Sequence, residues 1–206
     1  MMKIKYLPWV IAFAVIFFVV TKPITADFLS EEDKTISVAE SLLQSTVMIT
    51  VQGGGGSGFF ISPHEVITNH HVINDAKSVF IKKSNGTMCI ADVIFTQSKP
   101  DLALLKTDCE GKPIPFADSV KVGQSVLAMG NPIGYEFNLS KGVVGLLNKG
   151  ELVHDAITDQ GSSGGPIIDL NGHLVGVSQA ISKSTRLSFA IDIPTLSYFL
   201  YQAKEG

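Results

Sequence analysis

Short runs of apolar residues, many of them alternating with polar ones, recur along most of the chain, and glycine, proline, asparagine and aspartate separate them. Runs of this length bounded by turn residues are typical of β-strands. The pattern predicts strands over Val47–Val51, Gly58–Ile61, Glu65–Thr68, Ser78–Ile81, Cys89–Phe95, Leu102–Thr107, Ser125–Gly130, Leu139–Leu147, Pro166–Ile168, Leu174–Ala180 and Leu187–Ile193. Many short strands at close spacing indicate an all-β sandwich or barrel.

Two segments space their apolar residues as helices do. One is Ile36–Leu43, with Thr35 or Ser37 as its candidate N-terminal cap. The other is Thr195–Ala203, which follows Pro194, a residue suited to the first turn of a helix. The sequence therefore predicts a mainly β domain that ends in a helix.

The N-terminal residues have a composition of their own, because two lysines precede an apolar run that Lys22 ends. A basic segment followed by such a run is typical of a signal peptide, and the run is short for a helix that spans a bilayer. We expect residues 1–26 to be a signal peptide cleaved after Ala26, or a membrane anchor over residues 7–21. In both cases we expect residues 27–206 to form a domain outside the cytoplasm, periplasmic or secreted.

Composition and charge narrow the classes of function. The 206 residues suit one domain, or two small subdomains that share a core. Without residues 1–26 the chain keeps 13 basic and 19 acidic residues, a net charge of −6. Phosphate binding needs clustered lysine and arginine, so we expect no nucleic-acid partner. The acidic stretch Asp27–Asp33 is expected to be a flexible leading segment.

The two cysteines are too few for a disulfide framework or a zinc ribbon. If Cys89–Phe95 and Leu102–Thr107 form a hairpin, Cys89 lies opposite Cys109, and a cross-strand disulfide forms in an oxidising compartment. A single bulge would shift that register and leave two buried thiols. The residues leave both outcomes open.

The segment Gly161-Ser162-Ser163-Gly164-Gly165-Pro166 directly precedes an apolar strand and carries the strongest chemical signal. Glycines on both sides let a substrate carbonyl approach Ser163 closely. They also let the N–H groups of Gly161 and Ser163 point at one spot, as an oxyanion hole requires. Taken alone, the segment is also compatible with an ordinary glycine-rich turn.

A nucleophilic serine needs a base, and two adjacent histidines, His70 and His71, follow a predicted strand. Adjacent side chains cannot both face the serine, so at most one is the base. Asp101 opens another strand and can orient an imidazole. The order histidine, aspartate, serine excludes an α/β-hydrolase, which needs serine first, and His173 is the only histidine after Ser163.

Several segments, from about Val38 to Ala203, together resemble the trypsin-like protease domain of the HtrA (Deg) family. The matching segments are Gly54–Phe59, Val66–Val72, Asp101–Lys106, Ala128–Gly134, Gly161–Pro166 and Phe189–Ile191. The resemblance implies a chymotrypsin-like fold of two six-stranded antiparallel β-barrels, with the active site in the cleft between them.

The resemblance also implies roles. His71 is expected to be the base, Asp101 the orienting acid and Ser163 the nucleophile, with the Gly161 and Ser163 amides as the oxyanion hole. The implied function is a serine endopeptidase that cleaves unfolded or exposed protein segments, without cofactor or metal ion, and trimers are the family habit. The alternative is a catalytically silent protease fold that acts as a chaperone or peptide-binding module.

The resemblance places Ile157 at the base of the pocket for the substrate residue before the cleaved bond (P1). Ser178, Gln179 and Ala180 are expected to form its wall. A charged P1 side chain would find no partner among these four residues. We therefore expect a small or medium apolar P1 residue.

Two of the chain's departures from the family pattern concern how activity is controlled. Ser162 stands where pancreatic-type proteases place aspartate and HtrA proteases usually asparagine, so we expect control through the loop before Gly161 and not through cleavage of the N-terminus. The resemblance covers the protease domain alone, so we expect no regulation through a PDZ module.

Overall fold

The computed structural model describes residues 30–132, 135–181 and 187–205. Its helices are α1 (Glu31–Ser45), α2 (His70–Ile73) and α3 (Ile193–Glu205). The strands of the first half are β1 (Thr46–Val51), β2 (Gly54–Ser62), β3 (Glu65–Thr68), β4 (Ser78–Lys83), β5 (Met88–Gln97) and β6 (Leu102–Thr107). Those of the second half are β7 (Ser125–Gly130), β8 (Asn138–Asn148), β9 (Glu151–His154), β10 (Pro166–Asp169), β11 (Leu174–Ile181) and β12 (Ser188–Asp192).

The strands close into two antiparallel barrels of six strands each. Around the first barrel the order is β1-β2-β3-β6-β5-β4, and around the second it is β10-β11-β12-β9-β8-β7. Closure leaves no free strand edge, which explains how short strands form a stable sheet. The predicted all-β class and double-barrel fold are confirmed.

Three apolar clusters hold this architecture together. One fills the first barrel and one the second, while the largest joins residues of both barrels to the two longer helices. Helix α3 contributes Leu196 and Phe199, both fully buried, and the Phe199 ring lies 5.1 Å from that of Phe95 on β5. Burying a side chain of this size contributes about 1.5–3 kcal/mol. Helix α3 therefore packs against the first barrel as well as the second.

The N-terminal helix is longer than the sequence pattern predicts, since it begins at Glu31 and ends at Ser45. Its first turn carries Glu31, Glu32 and Asp33, and acidic side chains there are stabilised by the positive end of the helix dipole. The predicted flexible segment over residues 27–33 was therefore wrong from residue 31 onward. Thr35 does not cap the helix, because its hydroxyl donates to the Glu31 carbonyl inside it, at 2.7 Å.

The predicted leader, residues 1–26, lies outside the described residues. Within the part of the chain that is described, no helix is both long enough and apolar enough to cross a membrane.

Two strands differ from the sequence prediction for reasons that involve glycine. Strand β2 begins at Gly54 and not at Gly58, because the glycines pair with β1, where a side chain on Gly55 would collide with the Ile49 carbonyl. Strand β9 was missed because it is short and follows the turn at Gly150, which has a φ of 84°. It pairs with β8 and β12 and so closes the second barrel.

Cys89 and Cys109 form a disulfide, with their Cα atoms 6.3 Å apart. The neighbouring pair Ala91 and Thr107 is in register, and the bulge in β5 lies beyond it, between Val93 and Phe95. The bulge therefore leaves the register at the cysteines intact. The disulfide ties the start of β5 to the segment that follows β6.

His154, at the end of β9, is fully buried in the second barrel. Among the described residues, neither ring nitrogen has a hydrogen-bond partner at ordinary donor–acceptor geometry. Burial lowers the pKa of His154 from 6.5 to about 4, and the nearby Asp155 carboxylate offsets only part of that effect. The imidazole is therefore neutral in the folded protein at neutral pH.

This buried histidine makes the stability of the fold depend on pH. In the unfolded chain His154 takes up a proton near pH 6.5, whereas in the folded chain it does so near pH 4, so acid favours unfolding between these values. We expect the free energy of unfolding to fall by about 3 kcal/mol between pH 7.5 and pH 4 through this residue.

Urea unfolding at several pH values would measure the effect. His154→Leu should remove this part of the pH dependence, while His64→Gln, at an exposed histidine, should retain it. Equal pH slopes for the wild-type protein and His154→Leu would contradict the assignment.

Candidate active site

The pairing of β3 with β6 brings the candidate histidine and aspartate together. These strands run antiparallel, with Thr68 opposite Ala103, so the residues after β3 lie beside the residues before β6. His71 lies in the short helix α2 directly after β3, and Asp101 immediately precedes β6. Asp101 has a φ of 67°, a left-handed conformation that aspartate tolerates better than most residues.

The Asp101 carboxylate accepts three hydrogen bonds. Oδ2 lies 2.8 Å from His71 Nδ1, and Oδ1 accepts the main-chain N–H of His71 at 3.0 Å. The Gln179 amide donates to Oδ2 at 3.2 Å from the second barrel. The Asn69 side chain also donates to the Asp101 carbonyl at 3.0 Å. Hydrogen bonds thus fix the position of both the side chain and the main chain of Asp101.

The hydrogen bonds also determine the charge state of the pair. Burial would raise the pKa of Asp101, but the hydrogen bonds from His71 and Gln179 outweigh it and hold the pKa below the usual value. The carboxylate is therefore ionised at neutral pH and can only accept, so the proton of a neutral His71 lies on Nδ1. This leaves Nε2 free to accept a proton.

Ser163 lies between a tight turn and β10, and its main chain is held by the first barrel, since Ser57 N–H donates to its carbonyl at 2.8 Å. Its hydroxyl donates to the main-chain carbonyl of Gln179 at 3.1 Å. Within the described part of the chain, this carbonyl and not His71 is the partner of the hydroxyl. Proton transfer to His71 therefore requires the Ser163 side chain to leave Gln179.

The turn before Ser163 has the geometry of a donor site. Ser162 N–H donates to the Asp159 carbonyl at 2.8 Å, and Gly161, the third residue of the turn, has a φ of 99°. A positive φ at this position makes it a type II turn and not type I, in which the central peptide faces the opposite way. Within the described residues, no acceptor pairs with the N–H groups of Gly161 and Ser163. As far as the described residues are concerned, both N–H groups are available to bind a ligand oxygen.

Only glycine fits the third position of this turn. A Cβ on Gly161 would lie 2.2 Å from the carbonyl oxygen of Asn131, and its positive φ is unfavourable for other residues. The sequence pattern suggested that glycine is needed here so that a substrate can approach closely. The structure shows that the main chain of Asn131 also approaches Gly161 closely.

Only some of the predicted pocket residues lie beside Asp101 and Ser163. Gln179 contacts both Asp101 and Ser163, Ser178 is buried beside them, and the main chain of Ala180 pairs with β12. The Ile157 side chain is 77% exposed, and its carbonyl accepts the Ser140 hydroxyl at 2.6 Å. The role of Ile157 stays a prediction.

Sequence reasoning missed a pair of hydroxyl groups beside this region. The Thr158 hydroxyl donates to that of Ser188 on β12 at 2.8 Å, and the Ser188 hydroxyl donates to the Ala156 carbonyl at 3.0 Å. These bonds tie the segment before the turn to the strand next to β11. The available signal was weak, since it consisted of one serine at the start of an apolar strand.

Comparisons with known proteins show the family to which this chain belongs. A family model described as the trypsin-like peptidase domain matches residues 56–177. The chain belongs to this family. The match includes the segments of His71, Asp101 and Ser163.

Named relatives point the same way. One relative is a protein of Pseudomonas savastanoi pv. phaseolicola described as a probable periplasmic serine endoprotease DegP-like. The two sequences are 36% identical over 156 residues, and this aligned region covers 67% of this chain and 32% of the relative. A protein of the same description from Bartonella henselae is 37% identical over 167 residues, with 73% and 33% covered. The predicted resemblance to HtrA (Deg) proteases is confirmed, although the chain spans about a third of the length of these relatives.

Solved structures extend the likeness to the fold. An inactive form of Rv3671c from M. tuberculosis H37Rv matches with a TM-score of 0.74 and 26% identity, over 82% of this chain and 90% of that one. The serine endoprotease from Yersinia pestis matches with a TM-score of 0.76 and 26% identity, over 85% and 66%.

The hydrogen bond between His71 and Asp101 can be tested by proton NMR at low temperature. We expect a strongly downfield Nδ1–H resonance, because the proton is shared with an ionised carboxylate. The resonance should be absent in His71→Ala and also in Asp101→Asn, because without the carboxylate the tautomer with the proton on Nε2 is favoured. It should persist in His70→Gln, the adjacent histidine, and its loss in that variant would show that the wrong histidine had been assigned.

Proposed function

We propose that this chain is a serine endopeptidase in which Ser163 is the nucleophile, His71 the general base and Asp101 the orienting acid. The observation that carries the proposal is the His71–Asp101 pair with its free Nε2. The N–H groups of Gly161 and Ser163, which pair with no acceptor in the described part of the chain, add support. Membership of the trypsin-like peptidase family supplies the reaction class.

The proposed reaction begins when the substrate carbonyl oxygen binds between the N–H groups of Gly161 and Ser163. The Ser163 hydroxyl leaves the Gln179 carbonyl, donates to His71 Nε2 and attacks the carbonyl carbon as its proton passes to His71. The Asp101 carboxylate stabilises the resulting imidazolium. Each N–H donor stabilises the oxyanion by about 3 kcal/mol.

Collapse of the tetrahedral intermediate completes the first half of the reaction. The imidazolium of His71 donates its proton to the leaving amine, the peptide bond breaks, and Ser163 is left as an ester. A water molecule then enters, gives a proton to His71 Nε2 and attacks the ester carbon, which forms a second tetrahedral intermediate. His71 donates that proton to Ser163 Oγ as the ester bond breaks, and the acid product leaves. The charge balance is restored without a metal ion or cofactor.

We further propose that the domain acts outside the cytoplasm on unfolded or exposed segments of proteins. The matched relatives are named periplasmic endoproteases, and the Cys89–Cys109 disulfide suits an oxidising compartment. Residues 1–26 would then act as a signal peptide or anchor, with residues 27–206 as the protease domain. Assembly into trimers stays a prediction.

Labelling with a fluorophosphonate probe tests the nucleophile and the base. We expect the wild-type chain to be labelled and Ser163→Ala to be unlabelled, because only an activated serine reacts with the probe. Asp101→Asn should lower kcat by about 10⁴-fold, since the imidazole would adopt the wrong tautomer. His70→Gln is the matched control and should react as the wild-type chain does.

The same experiment separates the enzyme from a silent chaperone. A folded wild-type chain that is not labelled, yet suppresses aggregation of a denatured protein as well as Ser163→Ala does, would contradict the peptidase proposal and support the binding module.

Cleavage sites mapped by mass spectrometry in a denatured protein test the P1 pocket. We expect alanine, valine and residues of similar size at P1, because Ile157, Ser178 and Gln179 offer no charge to a P1 side chain. A majority of sites after lysine, arginine, aspartate or glutamate would contradict this expectation.

A further inference from the structure

Ser57 on β2 is fully buried and has a saturated hydroxyl group. The hydroxyl oxygen accepts hydrogen bonds from the main-chain N–H and the side-chain amide of Asn131, at 2.9 and 3.1 Å. The Gly161 carbonyl lies 2.8 Å from the same oxygen. Because both Asn131 groups can only donate, the single proton of the hydroxyl must point to the Gly161 carbonyl.

The main chain of Ser57 contacts the second residue of the proposed oxyanion hole. Its N–H donates to the Ser163 carbonyl at 2.8 Å, and its own carbonyl accepts the Thr68 hydroxyl at 2.7 Å. One residue of the first barrel therefore holds both Gly161 and Ser163, which belong to the second barrel.

Asn131 is itself fixed on both sides. Its amide also donates to the Val47 carbonyl at 3.2 Å, and its side-chain oxygen accepts the Phe137 N–H at 2.9 Å. Its carbonyl packs directly against Gly161. The amide therefore cannot turn its oxygen toward Ser57 without losing these two bonds, and the direction of the Ser57 proton stays fixed.

Next to these contacts the turn borders open space. A cavity of about 530 Å³ lies there, lined by Gln160, Gly161 and Asn131 among others, and the Gln160 side chain is exposed. The Gly161 carbonyl belongs to the Gly161–Ser162 peptide, so its bond to Ser57 holds Gly161 directly after the central peptide, which joins Gln160 to Gly161. Without that bond Gly161 would have room to shift and the central peptide to rotate. The type I and type II forms of a turn differ by such a rotation, which would turn the Gly161 N–H away.

We propose that Ser57, oriented by Asn131, is a positioning residue for the oxyanion hole. Its hydrogen bond to the Gly161 carbonyl keeps the turn over residues 159–162 in the type II form, with the Gly161 N–H available to the substrate oxygen. This inference rests on the proposed peptidase function, and it assigns Ser57 no contact with the substrate.

The test compares Ser57→Ala with the wild-type chain on a peptide substrate. We expect kcat to fall by about 10–100-fold with KM changed by less than about 3-fold, because loss of a full oxyanion donor costs about 10²–10³ in kcat and this variant misplaces one. The affinity for a peptide aldehyde, which forms a tetrahedral adduct, should fall in parallel with kcat/KM. The affinity for the cleaved product peptide should not change.

Three further variants keep the test decisive. Ser57→Cys keeps the size of the side chain with a weaker donor and should lie between Ser57→Ala and wild type. Asn131→Asp leaves the hydroxyl in place but offers its proton a competing acceptor, so kcat should fall in this variant too. Ser45→Ala removes another buried hydroxyl, which donates to the Ser41 carbonyl within α1, and should leave kcat unchanged.

Each outcome bears on one proposal. A wild-type chain that lacks both turnover and probe labelling would reject the peptidase function. An active wild-type chain, together with a folded Ser57→Ala or Ser57→Cys variant whose kcat is within about 2-fold of wild type, would overturn the role of Ser57 alone. Parallel losses of kcat and of product-peptide affinity would also overturn it, because they would indicate a general disturbance of the cleft.

Discussion

The Asp101 carboxylate is the group on which the arrangement of the site depends, because its three hydrogen bonds come from both barrels. His71 reaches it from 30 positions away in the first barrel and Gln179 from 78 positions away in the second. Hydrogen bonds to a charged acceptor contribute about 1.5–3 kcal/mol each, more than those between neutral groups. The position of one side chain therefore sets the tautomer of the base and couples it to the strand beside the nucleophile.

Much of the fold could be predicted because its signals are local. Period-two alternation placed most strands within a few residues, and the order of His71, Asp101 and Ser163 excluded the competing hydrolase fold. Counting along a hairpin offered the opposition of Cys89 and Cys109 as one of two outcomes, and the structure shows that it occurs. Errors arose where glycine pairs within a strand, as at Gly54, or where a strand such as Glu151–His154 is too short to have a period.

The missing parts of the site are contacts between distant segments. The Ser57 hydroxyl and the Gly161 carbonyl are 104 positions apart, and they meet only after two closed barrels have docked. Gln179 was predicted only as a pocket wall, a role that stays a prediction. The structure adds that its side chain binds the acid and its main chain the nucleophile. Neither periodicity nor motif spacing contains this information, since both describe neighbours along the chain.

The two barrels also differ in how they depend on their surroundings. Both cysteines lie in the barrel that carries His71 and Asp101, and the crosslink closes a loop with a sequence separation of 20. By the loop-entropy argument such a crosslink destabilises the unfolded chain by about 3 kcal/mol. A reducing environment would therefore destabilise the barrel that carries the base and the acid. The barrel that carries the nucleophile contains no cysteine, so reduction does not act on it directly. Redox conditions act on this domain asymmetrically.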